Sequence, residues 1–342
     1  MKQLRVLVLV HDEVVPPADA GRLLDPATWE YRMELAVVRT LRRLGHDVQV
    51  LGVADDLAPI HAAIATWRPH LAFNILSYFH DVVAYEANLV AFFELCKLPY
   101  TGCNSRGIVL AGDKVLAKQV LAAHGIPTPR FLVAAPGEPV SVPPDLAFPL
   151  LVKTAAEHGS AGIAQASVVQ NRRALATRVR WLQATFGGDV LVEPFLPGRE
   201  FSVGVLGNER PQVLPVWETW FERLPPGQHA ILTARSKWDE RYQRRVGLRS
   251  GPARRVTPTL RRELQDLARR TFRALRLSGY ARIDFRLDAE GRPHVLEANV
   301  NPDLTPGEDF PLAAQRAGMS YARLLQRLVA NGLAYRAAWR RD

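Results

Sequence analysis

The chain has 342 residues, 48% of them hydrophobic and 23% charged, and a formal net charge of +10 at pH 7. This length predicts two or three packed subdomains rather than one small core, and the composition is that of an ordinary globular protein. No apolar run approaches the roughly 20 residues that cross a bilayer, and the N-terminus lacks the features of a signal peptide. We therefore expect a cytoplasmic protein with no membrane partner.

Strands and helices alternate in the first part of the chain. The valine-rich run at 4–10 is typical of a parallel strand buried on both faces. Further helices and strands are predicted at 29–44, 47–53, 57–67, 71–76, 84–96 and 98–102. This alternation indicates βαβ units in a parallel sheet. Ligands bind beyond the carboxyl ends of such strands, here at residues 11–13, which include Glu13, and at 77–81, which include His80.

A second region begins with a helix predicted at 113–124, and residues 125–129 break the chain after it. A strand at 150–153 carries a lysine into a loop of small residues that contains Gly159 and Ser160. The backbone N–H groups of such a loop can surround phosphate oxygens. The loop is not a Walker A sequence, so on its own this signal is weak.

Two carboxylates and a further lysine follow. Glu193 ends a predicted strand, and Glu200 lies just beyond the next turn, which can present both carboxylates and a backbone edge to a purine and a ribose. Lys237 lies in a segment, 232–239, that we expect to be a flexible loop. For each of these residues a purely structural role is the alternative.

The positive charge of the chain is concentrated in one region. Residues 235–276 contain 14 Arg or Lys and 4 Asp or Glu, so the remainder of the chain is neutral. Much of the region is predicted as a helix with Thr257 as N-cap, Pro258 at its first position and Gly279 past its end. The helix has no series of aromatic residues for stacking bases. We expect a solvated basic face rather than nucleic acid binding, with an anionic substrate as the alternative.

The most informative stretch covers residues 281–302. Polar and apolar residues alternate at 282–287 and again at 294–298, and turn-forming residues occupy 288–291. This pattern predicts an antiparallel hairpin. A surface hairpin with solvated charges is the alternative when the stretch is considered alone.

The hairpin can bring three oxygen ligands together. Side chains alternate between the faces of a strand, so Asp284, Glu297 and Asn299 can lie on one face. Hard oxygen ligands suit Mg²⁺, which usually takes one or two protein carboxylates and leaves its other positions to water and phosphate oxygens. Arg282 would stand beside the metal as a fixed positive charge.

Together these segments resemble the ATP-grasp superfamily, and most closely its D-alanine:D-alanine ligase family. The resemblance covers nearly the whole chain in order and is carried by eight matches: Pro99-Tyr100-Thr101-Gly102, Asp113-Lys114, Gly125-Ile126-Pro127-Thr128-Pro129, Val152-Lys153, Glu193 with Gly198-Arg199-Glu200-Phe201, Lys237, Ala281-Arg282-Ile283-Asp284 and Leu296-Glu297-Ala298-Asn299. It implies α/β and α+β architecture, the ATP-grasp fold with an N-terminal parallel-sheet domain. The expected parts are an N-terminal substrate domain at 1–112, a central subdomain at 113–196 and a C-terminal subdomain at 197–342.

The resemblance also implies roles for individual residues. Lys114 and Lys153 would hold the α- and β-phosphates of ATP, Lys237 the γ-phosphate, and the loop with Gly159 and Ser160 would cover them. Glu193 and the backbone at Phe195 and Leu196 would face the adenine, and Glu200 the ribose. Two Mg²⁺ ions, which Mn²⁺ could replace, would be held by Asp284, Glu297 and Asn299. Arg282 and Lys237 would be catalytic, with Arg282 stabilising the transferred phosphate and the tetrahedral oxyanion.

The departures from the family pattern fall on the amino-acid side of the expected site. Ser77-Tyr78-Phe79-His80-Asp81 replaces a Gly-Glu-Asp-Gly pattern, the mobile loop lacks its first serine, and Trp238 stands in place of a tyrosine. After the metal-binding asparagine, Asp303 and then Glu308 and Asp309 occupy the segment that holds the carboxylate of the second substrate. The candidate substrate residues are therefore Glu13, His80, Trp238, Asp303, Glu308 and Asp309.

These observations predict an ATP-dependent carboxylate-amine ligase that works through an acyl phosphate on small-molecule substrates other than the D-alanine pair. Standard D-alanine:D-alanine ligation is one alternative, and a non-catalytic nucleotide-binding protein that docks on a polyanion is another. The resemblance suggests a homodimer formed through the N-terminal domain. Cys96 and Cys103 have no metal-binding spacing and are expected to be buried free thiols.

Overall fold

The computed structural model describes residues 2–17, 30–144, 146–155 and 162–337. The predicted phosphate-loop residues Gly159 and Ser160 lie outside these ranges. Within them, three sheets with helices packed against them form the mixed α/β and α+β architecture expected from the sequence. A search of these same ranges found no helix with the length and apolar character needed to span a membrane.

The N-terminal sheet is parallel, as predicted. Its strands are β1 (Arg5–His11), β2 (Asp47–Val53) and β3 (Leu71–Asn74), in the order β2-β1-β3. The middle residues of β1 are fully buried, which explains the continuous apolar run. The helices of this region are α1 (Arg32–Arg43), α2 (Ala58–Thr66) and α3 (Glu86–Leu95).

The strand predicted at 98–102 is reduced to a single parallel bridge between Ala72 and Tyr100. Pro99 has no N–H to donate, and Gly102, with φ +98°, turns the chain away from the sheet. A further helix that the sequence reading missed follows, α4 (Ser105–Gly112), and α5 (Lys114–Ala123) comes directly after it. Asp113 separates the two helices, because its side chain accepts the N–H groups of the first turn of α5.

The central sheet is antiparallel. It contains β4 (Leu132–Ala134), β5 (Leu150–Thr154), β6 (Val168–Val169) and β7 (Val190–Pro194), in the order β4-β7-β5-β6. One helix, α6 (Arg172–Phe186), packs on it through Leu175, Val179 and Leu182. This small layered unit places the ends of β5 and β7 side by side.

The C-terminal sheet is also antiparallel and has the order β11-β10-β8-β12-β13, with β9 paired to β8. Its strands are β8 (Glu200–Leu206), β9 (Gln212–Val213), β10 (Trp217–Phe221), β11 (Leu248–Pro252), β12 (Tyr280–Leu287) and β13 (Pro293–Asn299). Its helices are α7 (Ala234–Trp238), α8 (Glu240–Val246), α9 (Pro258–Ala274), α10 (Asp309–Arg316) and α11 (Tyr321–Ala334). The three sheets fall inside the ranges 1–112, 113–196 and 197–342, whose boundaries stay a prediction.

Two local expectations change here. The segment that carries Lys237 is not simply a loop, because Thr233 caps the short helix α7 by accepting the N–H of Ser236 at 3.1 Å. The basic helix α9 begins at Pro258 with Thr257 as its cap, as predicted, but it ends at Ala274. Gly279 instead forms the turn into β12.

Gly279 is needed for both its backbone conformation and its small size. Its φ is +68°, and a Cβ atom there would overlap the carbonyl oxygen of Gly102. Its N–H also donates to Asn208 Oδ1 at 3.0 Å. This close approach joins the end of the N-terminal sheet to the strand that carries Arg282 and Asp284.

We predict that Gly279→Ala lowers the free energy of unfolding by about 3 kcal/mol or more, because it combines an unfavourable backbone conformation with a clash. Gly291→Ala is the matched control: Gly291 also has a positive φ, +81°, but a Cβ atom there meets nothing within 4 Å. Its cost should be only about 1 kcal/mol. Urea unfolding of both variants measures the difference, and equal losses would contradict the predicted clash.

Candidate active site

The predicted hairpin is formed by β12 and β13, and its register brings the acidic residues together. Asp284 pairs with Glu297, and Arg282 with Asn299. The register shifts between Asp284 and Phe285, as at a β-bulge, which re-aims side chains locally. Opposed side chains on one face of a sheet are close neighbours, so Asp284 and Glu297 lie side by side, and the metal-binding role of these residues and Asn299 stays a prediction.

Arg282 holds the carboxylate of Asp284 in a bidentate ion pair. Its Nε lies 2.7 Å from Oδ1 and its Nη2 lies 2.7 Å from Oδ2. Burial raises the pKa of Asp284, Arg282 opposes that rise, and the neighbouring Glu297 adds to it. The hairpin therefore presents two partly buried acids side by side, of which one is paired with a fixed guanidinium.

Glu297 is surrounded by positive charge. Burial alone would raise its pKa, but Lys114, Lys153, Lys237 and Arg282 act against burial and bring the pKa to about 2. These four cations come from α5, β5, α7 and β12 respectively. The central and C-terminal sheet regions and their helices thus both contribute to the electrostatics of one carboxylate.

The donor set fits a hard divalent cation. Asp284 and Glu297 offer carboxylate oxygens and Asn299 an amide oxygen, a combination typical of Mg²⁺ sites. Within the described ranges no group of three or more His, Cys, Asp or Glu is placed to hold a metal ion, so the site depends on the asparagine as well. Both oxygens of Asp284 already accept the guanidinium of Arg282.

The predicted nucleotide residues line one cavity between the central and C-terminal sheets. Its lining includes Lys114, Lys153, Glu193, Phe195, Leu196, Glu200, Lys237, Arg282, Asp284 and Glu297. Leu151, Ile163, Ile231, Leu232 and Leu296 add apolar walls. Apolar walls together with several lysines suit a base attached to phosphates.

Glu193 is held by two lysines deep in this cavity. Its side chain is 1% exposed, with Lys153 Nζ at 2.7 Å from Oε1 and Lys118 Nζ at 2.8 Å from Oε2. Burial raises the pKa of Glu193, but the two lysines outweigh it and the pKa is lowered. Burial also lowers the pKa of Lys118, to about 8, against the opposing effect of Glu193.

Through hydrogen bonds, Lys118 also connects the cavity to Thr128 and to strand β13. It donates to Thr128 Oγ1 at 3.0 Å, and Thr128 in turn donates to the carbonyl oxygen of Val295 at 2.9 Å. Sequence reasoning missed Lys118. The signal that could have found it was its position one turn after Lys114, since residues i and i+4 share a helix face.

Some backbone N–H and carbonyl groups after β7 already form hydrogen bonds within the protein. The Phe195 N–H donates to the carbonyl oxygen of Pro149 at 2.9 Å, and the Leu196 carbonyl oxygen accepts Arg286 Nε at 2.6 Å. For the Leu196 N–H, the described part of the chain offers no acceptor. Of these two N–H groups, the one of Leu196 is therefore placed to meet a ligand.

Glu200 pairs with Arg286, a second residue to which sequence reasoning gave no role. Arg286 Nη1 lies 2.8 Å from Glu200 Oε2, and the guanidinium lies over the ring of Phe195 at 5.5 Å. Burial raises the pKa of Glu200, and Arg286 acts in the opposite direction. Arg286 shares its strand face with Asp284, so alternation along β12 was the available signal.

The candidate substrate residues of the N-terminal region and of α7 are more exposed. Glu13 follows β1 in a short 3₁₀ turn, and its side chain is 81% exposed. His80 is exposed, in a left-handed conformation with φ +54°. Trp238, at the end of α7, is 79% exposed. None of the three lines the nucleotide cavity.

The acidic residues after Asn299 differ in how many hydrogen bonds their carboxylates accept. Asp309 accepts Trp217 Nε1 at 2.9 Å and Ser250 Oγ at 2.8 Å. Asp303 accepts the N–H of Thr305 at 2.7 Å. Glu308 precedes α10 without capping it, and its carboxylate has no hydrogen bond or ion pair with the described residues.

Glu34, on α1, adds a carboxylate that sequence reasoning did not consider. It is 7% exposed, and burial, with a smaller effect of Asp303, raises its pKa to about 7. The negative charge of Asp303 contributes to the raised pKa of both Glu34 and Glu308. The N-terminal and C-terminal regions therefore face one another here with like charges.

Comparison with known proteins identifies the family. A family model described as the D-ala D-ala ligase C-terminus matches residues 120–330. The D-alanine–D-alanine ligase of Desulforudis audaxviator is 32% identical over 301 residues, which cover 86% of this chain and 90% of that protein. The chain belongs to the D-alanine–D-alanine ligase family. It is accordingly an ATP-dependent ligase that forms an amide bond between small-molecule substrates.

Two further likenesses extend this result. An uncharacterized protein of Sinorhizobium fredii is 32% identical over 308 residues, covering 88% of this ligase and 87% of that protein. The crystal structure of the D-alanine–D-alanine ligase from Bacillus anthracis complexed with ATP superposes with a TM-score of 0.71, at 19% identity and over 96% of this chain and 97% of that one. The ATP-grasp fold expected from the sequence is thereby confirmed.

Lys118 provides a test of the charge balance in the cavity. We predict that Lys118→Met lowers the free energy of unfolding by about 3 kcal/mol, because it leaves a buried Glu193 oxygen without its cation. Lys2→Met removes the same charge from an exposed position and should change the free energy by less than about 0.5 kcal/mol. Urea unfolding gives both values. A loss below about 1 kcal/mol for Lys118→Met would contradict the importance of this ion pair.

Proposed function

We propose that this ligase activates a carboxylate as an acyl phosphate and joins it to an amine that carries an extra positive charge or lacks a free carboxylate. The observation behind this proposal is the unpaired carboxylate of Glu308 at the start of α10. The family pattern has at this place a residue that helps to hold the carboxylate of the second amino acid. An acidic side chain repels such a group and attracts an ammonium ion.

In the proposed reaction, a carboxylate oxygen of the first substrate attacks the γ-phosphorus of ATP and ADP leaves. The amine nitrogen of the second substrate then attacks the acyl carbon, phosphate leaves and the nitrogen loses a proton. The products are an amide, ADP and phosphate. Both steps crowd anionic groups together, and the cations around Glu297 are placed to neutralise them.

In this proposal, the lysines, Arg282 and the oxygen ligands have separate roles. Lys114 and Lys153 hold the inner phosphates, and Lys237 the phosphate that is transferred. Arg282 stabilises the transferred phosphate and the oxyanion of the second step. Asp284, Glu297 and Asn299 would hold Mg²⁺, which would supply additional positive charge to the phosphates when it is bound.

The charges around Glu308 support an amine that carries an extra positive charge or lacks a free carboxylate. Burial, Asp303 and Asp309 raise its pKa, and Arg32 and Arg282 only partly offset them. Glu308 is therefore near enough to Arg282 for the two charges to interact. Glu34 adds a further carboxylate near Asp303. An amine with a second ammonium group would be stabilised there, whereas a free carboxylate would add to the repulsion.

The alternative within the same reaction is ligation of two D-alanine molecules. It is favoured by the names of the relatives, among them the ligases of Desulforudis audaxviator and Bordetella petrii. Membership in a ligase family argues against the remaining alternative, a non-catalytic nucleotide-binding protein. The two ligase alternatives differ in the amine, so they are separated by the choice of amine in an assay.

We predict that the purified ligase, with ATP and Mg²⁺, uses D-alaninamide or 1,4-diaminobutane at least about tenfold better than D-alanine, measured as kcat/KM. A panel of D- and L-amino acids and dipeptides serves as carboxylate donors. Phosphate release and product mass are the measurements. If D-alanine alone gave the dominant product, the proposed amine class would be wrong.

A matched pair of variants tests the role of Glu308. Glu308→Gln keeps the size of the side chain and removes its charge, so the preference over D-alanine should fall about tenfold, which corresponds to about 1.4 kcal/mol. Glu263→Gln makes the same change at an exposed position on α9 and should leave the preference as it is. An unchanged preference in Glu308→Gln would remove the basis of the proposal.

A further inference from the structure

A second large cavity lies away from the nucleotide site. It has a volume of about 880 Å³ and is formed by the start of α4, the turn between β8 and β9, the end of α9 and the end of α11. It shares no lining residue with the nucleotide cavity. We call it the arginine groove, after the five residues Arg106, Arg210, Arg273, Arg276 and Arg336 that line it.

The charge of the arginine groove is not balanced by the protein. All five arginines are exposed, and none forms an ion pair with a carboxylate in the described ranges. The lining includes only two acidic residues, Glu94 and Glu209. The Glu94 carboxylate already accepts the hydroxyl of Tyr100 at 2.6 Å. Like charges on a concave surface repel one another and concentrate a positive potential there.

Elsewhere on the surface of this ligase, some exposed arginines find acidic partners, whereas others, such as Arg261 and Arg262, form no ion pair with the described residues. Arg244 pairs with Glu240 at 3.0 Å, and Arg292 with Asp288 at 2.8 Å. The sequence around the arginine groove offers no such arrangement for its five guanidinium groups. What distinguishes the groove is that five such arginines line one concave surface, which favours a negative charge that comes from outside the chain.

Backbone donors add to the side-chain donors. Ser105 and Arg106 are the first two residues of α4, whose N-cap, Asn104, accepts the N–H of Gly107 at 2.9 Å. The N–H groups of Ser105 and Arg106 have no acceptor in the described part of the chain. The start of a helix carries partial positive charge and binds phosphate oxygens readily.

The walls of the groove are held in place by buried hydrogen bonds. Asn104 Nδ2 donates to the carbonyl oxygen of Arg276 at 2.8 Å and to Ser278 Oγ at 3.1 Å. Asn208 Nδ2 donates to the carbonyl oxygen of Asn331 at 3.0 Å. These contacts join the start of α4 to the end of α9, and the β8–β9 turn to α11. The arginines therefore project from fixed backbone, which favours binding of a ligand of defined size.

We propose that the arginine groove binds a small oligophosphate, an anion with two or more linked phosphate groups. The planar guanidinium fork matches phosphate oxygens in a bidentate manner. A single phosphate would leave most of the five arginines unpaired, whereas an oligophosphate engages several at once. The volume of the groove also lies in the range of small-molecule sites, roughly 300–1,000 Å³.

A nucleic acid strand suits the groove less well. Binding along a strand uses exposed aromatic faces on which bases stack. Phe272, at the groove, is buried at 1% exposure, and the ring of Tyr335 lies against that of Tyr100, with centroids 5.8 Å apart. The aromatic side chains of the groove thus pack within the protein, and the charged ones remain for a ligand.

The test is calorimetric titration of inorganic tripolyphosphate into the full-length ligase, with its ATP site saturated by a non-hydrolysable ATP analogue and Mg²⁺ in excess of both. We expect one remaining site, weakened by added salt because its contacts are between exposed charges. Arg273→Gln/Arg276→Gln should weaken binding about tenfold or more. Arg261→Gln/Arg262→Gln removes the same charge from the outside of α9 and should change binding less than about twofold.

Three results would overturn the proposal. One is no binding of tripolyphosphate once the ATP site is saturated. A second is equal weakening in both double variants, which would show a response to net charge alone. The third is binding of a 30-nucleotide single strand without binding of tripolyphosphate. Thermal unfolding checks that the variants are folded, and Arg210→Gln, on the β8–β9 turn, gives an independent variant if α9 tolerates its changes poorly.

Discussion

The active site is organised by two partly buried carboxylates that the antiparallel register of β12 and β13 places opposite each other. Asp284 and Glu297 would repel one another, and their partial removal from water strengthens that repulsion. Two features offset this repulsion. The guanidinium of Arg282 binds Asp284, and three lysines lie around Glu297. Because these cations come from different sheets and helices, the positions of the central and C-terminal parts are linked to the charge balance of one hairpin.

The charged groups of the cavity fall into two kinds of set. Glu193 and Glu200 belong to sets in which each carboxylate meets an internal cation, Lys118 and Lys153 in one case and Arg286 in the other. The hairpin set has an excess of positive charge around Glu297. A bound triphosphate with its metal ions would balance the excess positive charge around Glu297. Glu193 and Glu200, whose charges are already paired, would instead shape the pocket in which the base would lie.

Much of this arrangement could be predicted from the sequence because it depends on local patterns. Alternation along 282–287 and 294–298 predicted the hairpin that places Asp284 opposite Glu297, and the buried run at 4–10 predicted the parallel sheet. The partners of Glu193 and Glu200 could not be predicted in the same way. Lys118 and Arg286 are distant from them in the chain, and only the packing of α5 against β7 and of β8 against β12 brings each pair together.

The substrate side illustrates a further limit of sequence patterns. Asp309, Glu308 and Asp303 look alike in the sequence, but the structure gives Asp309 two hydrogen-bond donors and leaves Glu308 without one. The buried Glu34 has no motif around it, and its raised pKa depends on burial by distant segments. Charge alone marked this segment as a departure from the family, and only tertiary contacts distinguish the carboxylate that has no partner among the described residues.

The most direct test of the account is the fate of oxygen in the carboxylate substrate. The donor that supports phosphate release is labelled with ¹⁸O in its carboxylate and turned over with ATP, Mg²⁺ and an accepted amine. Mass spectrometry then measures the label in the released phosphate. Transfer of one ¹⁸O atom per phosphate is expected if the cations around Glu297 promote formation of an acyl phosphate. Release of unlabelled phosphate together with the amide would contradict this central claim.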